Sequence, residues 1–292
     1  MQNPLTKRLE PAEGFFDRFN AVPGDVSAST LKLVAVITMT LDHFAAGVLY
    51  FQLLTHALPS WLDFDTGYTI YMVLRGIGRT AFPIYCFLIV EGLMHTRSRA
   101  RYLLRLVLFA FLSEIPFDLI ATQLSDPASA DIPQLLADNR EAIFEHQNVF
   151  FTLAIGLAAI WAIEAIRTRF GTCLVTLVSA AVISIAAYHL ADFLKTDYEG
   201  VGVCVILVFY LFYPIRIAAG IMGFLGLTGR LSTAEMYYEE WAFPAFFLML
   251  FYNGKRGFLG RSKAVSLFFY LFYPAHLFLW FLTRVLLLRL FL

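Results

Sequence analysis

The chain has 292 residues, of which 59% are hydrophobic, 16% aromatic and 15% charged, with a mean hydropathy of +0.69. An apolar share this far above the ~45–50% of soluble domains excludes a water-soluble globule and predicts an all-α, polytopic transmembrane helix bundle. Lys+Arg 22 balance Asp+Glu 22, so bulk electrostatic attraction to nucleic acid is excluded as well.

Residues 1–30 are polar and acidic, which is not the layout of a cleaved signal peptide. They are expected to form a cytoplasmic segment ahead of a single integral membrane domain, residues 31–292, whose first apolar run is an uncleaved anchor. Apolar runs bounded by charges predict nine spans: 32–54, 68–94, 102–122, 148–166, 172–190, 200–215, 217–229, 238–252 and 264–285. The seventh and eighth are short and carry Gly220, Gly223, Gly226 and Pro244, which suits half-helices enclosed by protein. A cytoplasmic N-terminus puts Lys7, Arg8, Arg18, Lys32, Arg97, Arg99, Arg101, Arg105, Arg167, Arg169, Arg216, Lys255, Arg256, Arg261 and Lys263 on the inner side. Only Arg140, Lys195 and Arg230 then fall outside. Cys86, Cys173 and Cys204 lie apart with no CxxC or Cys/His spacing, so neither a disulfide framework nor a metal site is expected.

Charged groups inside spans are the informative positions, because each costs at least ~2.5–3.5 kcal/mol at mid-bilayer and needs a partner or a wet cavity. In the first span, Asp42 and His43 lie roughly 16 Å beyond Lys32 at the helical rise of about 1.5 Å per residue. In the second, Arg75 and Arg79 are spaced i, i+4, as are Glu114 and Asp118 in the third; antiparallel register predicts the pairs Arg79–Glu114 and Arg75–Asp118. A clamp of this kind serves architecture as readily as catalysis. Glu91 and His95 make a third i, i+4 pair nearer the inner end. The ninth span carries His276 at the same depth as His43, two residues after Pro274, and two midplane histidines on different spans predict one shared polar cavity. The group Glu145, His146, Gln147 and Asn148, which opens the fourth span, reads as a helix N-terminal cap and interface residues.

The inner clusters 97–105 and 255–263 fix topology and bind anionic lipid in most membrane proteins; beside a histidine cavity they also suit a polyphosphate ligand. No GxGxxG, P-loop, HExxH or GxSxG occurs, which leaves histidine-based proton transfer as the chemistry.

The series LKLVAVITMTLDHF, RGIGRTAFPIYCFLIVEGLMHTRSRARYLLRL, FLSEIPFDL, QNVFFTLAIG and FFYLFYPAHL resembles the TraX family, membrane proteins linked to N-terminal acetylation of conjugative pilin. It covers residues 31–157 and 264–278. The first span is also similar to the opening helix of membrane O-acyltransferases of surface polysaccharides, with Lys32 and His43 in the places of the basic residue and the catalytic histidine, although Lys replaces Arg and Asp42 replaces an apolar residue. The resemblance implies a bacterial inner-membrane acetyltransferase that takes acetyl groups from cytoplasmic acetyl-CoA, without a metal. The acceptor would be an amine or hydroxyl, on a pilin-like N-terminus or a cell-surface glycan. By the same resemblance, the CoA phosphates would rest on Lys32, Arg97, Arg99, Arg101, Arg105, Lys255 and Arg256. His43 would be the general base, Asp42 or Glu114 would orient it, and Arg79 or His276 would stabilise the oxyanion. A covalent route through Cys86 is open, as are two other classes, a proton-coupled secondary transporter and a structural subunit of a conjugation or secretion complex.

Overall fold

A computed structural model describes residues 24–143, 145–228, 239–259 and 262–292; Lys7, Arg8, Arg18, Arg230 and Arg261 lie outside the described residues. Among these the chain is all-helical, with no strand beyond isolated bridges such as Val26–Tyr252. The helices are α1 (Ala28–Leu54), α2 (Phe64–Gly78), α3 (Ala81–His95), α4 (Arg99–Ala121), α5 (Ile132–Asp138), α6 (Val149–Phe170), α7 (Leu174–Phe193), α8 (Glu199–Leu211), α9 (Arg216–Thr228), α10 (Phe243–Leu250) and α11 (Lys263–Phe291).

Local chemistry sets most of the boundaries. Ser27, Asp63, Ser98, Asp131, Asn148 and Ser262 each stand at an N-cap and accept a backbone N–H from the first turn, satisfying donors that a helix start otherwise orphans. At exposed Asp63 the Thr66 N–H and hydroxyl hold the carboxyl below its ordinary range. Gly171, at φ 72°, ends α6 in a conformation that costs other residues strain. The predicted second span is broken into α2 and α3, because Pro83 has no N–H to give the Arg79 carbonyl four residues back and its ring crowds that carbonyl. Arg79 and Thr80 bond instead to Gly76 and Ile77, a tighter turn that leaves Arg79 at the corner. In α1 the segment Ala45–Leu49 widens into a π-helix before Tyr50–Leu54 resumes the α form.

Among the described residues five helices are long and apolar enough to cross a bilayer: Ala28–Leu54, Phe64–His95 (α2 and α3 together), Val149–Phe170, Leu174–Phe193 and Ala264–Phe291. The count of nine crossings is therefore not reached by this measure. The seventh and eighth runs are short, as expected, and the sixth joins them. At about 1.5 Å per residue, the 13 residues of α8 and the 13 of α9 each span about 20 Å, short of a ~30 Å hydrocarbon core. α4 carries too many charges to qualify on composition. The outward face of α7 is apolar, with Leu174, Val178, Val182, Ile185 and Phe193 exposed, a surface that lipid solvates and water does not.

Packing places the first and last helices side by side. Lys32 lies 5.4 Å over the Phe269 ring, His43 bonds to His276, and Arg284 lies over Phe51, so residue numbers rise together along α1 and α11 and the two helices are parallel. The loop after α10 closes over the start of α1: the Ala28 and Ser29 N–H groups donate to the Lys255 and Arg256 carbonyls, each at 2.9 Å. The 255–256 basic pair thus shares one face with Lys32, as the charge bias predicted. α4 packs along α11, α6 lies between α4 and α8, and α8 meets α3. Leu31, Ile84, Val90, Leu157, Ile206 and Leu277 fill the common core without exposure.

Gly78 is what lets α2 reach α1. A Cβ there would stand 2.3 Å from the Asp42 side chain, closer than any real contact, so Gly78→Ala must push the helices apart at the charged cluster described below. Overpacking of this kind costs ~1–3 kcal/mol, and the variant is expected to melt several degrees below wild type in detergent. Unchanged melting would show that α2 yields freely at this point.

Candidate active site at half-depth

Asp42 and His43, adjacent on α1, face different neighbours. The Asp42 carboxylate accepts from Arg75 Nη1 at 2.7 Å and from Arg79 Nη2 at 3.1 Å. Arg79 then spends its other donors: Nη1 on Glu239 Oε1 at 3.1 Å and on the Tyr198 hydroxyl at 3.0 Å, Nε on the Arg75 carbonyl. Two guanidiniums face the carboxylates of Asp42 and Glu239, and opposite charges paired in this way are what a low dielectric tolerates. Tyr198 holds a left-handed backbone, φ 63°, with its ring stacked 3.6 Å from Phe82. Such a conformation costs a non-glycine residue ~1–3 kcal/mol and persists where surrounding contacts over-determine it.

The expected pairs Arg79–Glu114 and Arg75–Asp118 do not form. α2 packs on α1 instead of α4, and the corner at Arg79 turns its guanidinium towards α1, Tyr198 and Glu239. Glu114 pairs with Asn148, whose side-chain N–H₂ donates to Glu114 Oε2 and, at 2.8 Å, to the Ala110 carbonyl, while its Oδ1 caps Phe150. The Glu91–His95 pair does form, at 3.5 Å, and Tyr213 and Tyr252 also donate to the Glu91 carboxylate.

The two histidines meet as predicted. His43 Nδ1 and His276 Nε2 are 2.7 Å apart, and His276 Nδ1 lies 2.8 Å from the Phe272 carbonyl. A carbonyl only accepts, so His276 Nδ1 carries its proton; in a neutral ring its Nε2 is then an acceptor, and His43 Nδ1 must be the donor. That leaves His43 Nε2 as a bare lone pair. His43 is only partly buried, and among the described residues no group bonds to Nε2. Phe272 stacks on His276 at 4.8 Å and Tyr273 meets His43 edge-on at 5.8 Å, which fixes both rings.

Further polar atoms near this pair are buried without a partner: the Tyr273 hydroxyl, Glu114 Oε1 and Glu239 Oε2. Tyr198, Glu239 and Tyr273 escaped the sequence reading. Glu239 heads the short Pro244 segment and Tyr273 precedes His276 by almost one helical turn, both visible signals once charge inside a span is weighed as a partner search.

The inner cations divide. Lys32 and Arg105 lie over the adjacent rings Phe269 and Tyr270 of α11, at 5.4 and 5.7 Å, and the loop bearing Lys255 and Arg256 docks on the same end of α1. Arg97 and Arg101 are exposed. Arg99 Nη2 is buried without a hydrogen-bond partner. Tyr210 and Arg167 both bond to the buried Glu164 carboxylate of α6.

Comparison with known proteins now bears on this arrangement. The family described as TraX protein matches residues 27–284. The chain belongs to the TraX family. A relative named "Probable fimbrial assembly protein FimC, serogroup H1", from Dichelobacter nodosus, is 32% identical over 268 residues, covering 87% of this chain and 93% of its own. No solved structure matches. The TraX match spans α1 to most of α11 and so covers the charged cluster, the histidine pair, Lys32, Arg105, Lys255 and Arg256. Its long apolar helices and its family make the chain a membrane protein.

Proposed function

We propose that this TraX-family chain is an inner-membrane acetyltransferase that moves an acetyl group from cytoplasmic acetyl-CoA to the amine of a pilin-like N-terminus or to a glycan hydroxyl, with the N-terminus of the chain inside and nine passes in all. The observation that carries the reading is the bare His43 Nε2, held in one tautomer by His276 at half-depth between a basic inner rim and a polar interior. The named role of the fimbrial relative and the family's resemblance to pilin acetylation support it.

On this reading Lys32, Arg105, Lys255 and Arg256 receive the donor's phosphates, and its thioester arm runs up between α1 and α11 to His43, ~16 Å away at the helical rise. Arg97, Arg99 and Arg101 widen the same rim. His43 Nε2 accepts the proton of the acceptor as its nitrogen or oxygen bonds to the thioester carbon; the carbon–sulfur bond then breaks and the thiolate leaves with the electron pair, to be protonated by His43. His276 positions His43. The Tyr273 hydroxyl, unpartnered and beside the pair, offers a donor for the tetrahedral oxyanion, because Arg79 has committed its donors to the charged cluster. Asp42 acts through Arg75 and Arg79, and Glu114 through Asn148, to hold the cavity's shape. Cys86 is completely buried in the apolar core, so no acyl-cysteine step is invoked.

The test is donor binding and transfer with purified protein. Coenzyme A is expected to raise the melting temperature, since a ligand that binds only the folded state stabilises it by mass action. Acetyl-labelled acetyl-CoA is expected to pass its label to a peptide with a free N-terminal amine and not to the same peptide blocked at that amine. No shift and no label transfer would end the proposal.

A further inference from the structure

Arg284 of α11 is completely buried, and none of its three guanidinium nitrogens has a hydrogen-bond partner. It stands eight residues beyond His276, ~12 Å further along the helix, on the way to the end where Arg289 Nε donates to the Ala128 carbonyl. Its neighbours are apolar: the Phe51 ring at 4.3 Å and the Phe281 ring at 5.2 Å, with Leu288 and Ala57 in the same small cluster. Trp280, one turn below on nearly the same face, also has a buried indole N–H with no acceptor.

An arginine keeps its proton in a protein, and a buried cation needs a counter-charge. Two ring faces attract the guanidinium but bond to none of its N–H groups. Among the described residues none bonds to this guanidinium, and the charge is set for a group from outside them. A free Nε, Nη1, Nη2 fork fits a planar or tetrahedral oxyanion through two parallel bonds. We infer that Arg284 is the anchor of an oxyanion-binding site in the far third of the α1–α11 interface, for a carboxylate or a phosphate, with the Trp280 N–H beside it as a further donor. The cover over the site is Phe51, carried by the short helical piece beyond the π-helical segment Ala45–Leu49. Backbone bonding is least regular in such a segment, so this is where the cover opens to admit the ligand. The site is independent of the acetyl-transfer reading, because it needs no donor and no reaction.

Either a lipid headgroup or a soluble anion could bring this chemistry, and one set of measurements separates them. Wild type, Arg284→Met and Arg284→Lys are purified in a phosphorus-free detergent, and bound phospholipid is measured by phosphorus content. Melting is then followed with sodium phosphate, sodium acetate and sodium chloride at matched ionic strength. Stoichiometric phospholipid in wild type and none in Arg284→Met supports the site and identifies a headgroup as its ligand. A wild-type protein without phospholipid that melts several degrees higher in phosphate or acetate than in chloride, with no such rise in Arg284→Met, supports the site and identifies a soluble oxyanion. Arg284→Lys, which keeps the charge but loses the fork, should respond more weakly than wild type in either case. With no anion present Arg284→Met should melt no lower than wild type, since it removes an unpaired charge. Equal lipid content and equal anion response in all three proteins would overturn the inference.

Discussion

Asp42→Asn will lower the stability of the folded protein by ~3–5 kcal/mol, the loss seen when one member of a buried ion cluster is removed and its partners remain. The substitution keeps the volume of the side chain and its ability to accept a hydrogen bond, so what it removes is the charge. Arg79 keeps its bond to Glu239, but Arg75 loses the carboxylate it is paired with, and its positive charge is left in an interior that has little water to screen it. For a chain of this size that loss corresponds to a fall of ~10 °C or more in melting temperature. Arg75→Gln added to Asp42→Asn restores neutrality and should recover part of the loss, because the two sites share a partner and their effects are not additive. Melting of Asp42→Asn within a degree of wild type would mean that the cluster is wet and its charges uncoupled.

His43→Ala will lower the rate of acetyl transfer by ~10²–10⁴, the contribution of a positioned general base, with melting and the coenzyme A shift retained. The His276 variants discriminate between a positioned base and a packed ring. Gln at 276 keeps an acceptor for the His43 Nδ1–H and should retain more activity than Phe, which keeps the bulk but loses the tautomer bias. The order wild type, His276→Gln, His276→Phe, His43→Ala is the expected result in single-turnover assays. A wild-type rate in His43→Ala would remove the imidazole from the reaction.

Depth and residue type carried the sequence reading furthest. His43 and His276 each lie near the middle of an apolar run, counted from a charged inner boundary, and the structure brings their rings into hydrogen-bond contact. The Asn148 cap and the short seventh and eighth runs were legible for the same reason: each rests on local chemistry within one segment. Partners between segments were not. Arg75 and Arg79 share i, i+4 spacing with Glu114 and Asp118, but spacing says nothing about which helices adjoin, and α1 claimed both arginines. The corner that aims Arg79 depends on Pro83, a signal present in the sequence whose effect is felt four residues upstream. Tyr198 reaches the cluster through a left-handed backbone at a turn, and Arg284 shows itself only when the absence of an acceptor can be seen in three dimensions.

The two imidazoles come from positions 233 residues apart, one on α1 and the other on α11. Every segment between them must therefore be made before the pair can close, and a nascent chain that stops short of α11 carries one imidazole without its partner. Assembly of so long-range a pairing is slow relative to that of neighbouring hairpins. Synthesis itself thus acts as a timer: the histidine pair closes only after the segments between α1 and α11 have been laid down.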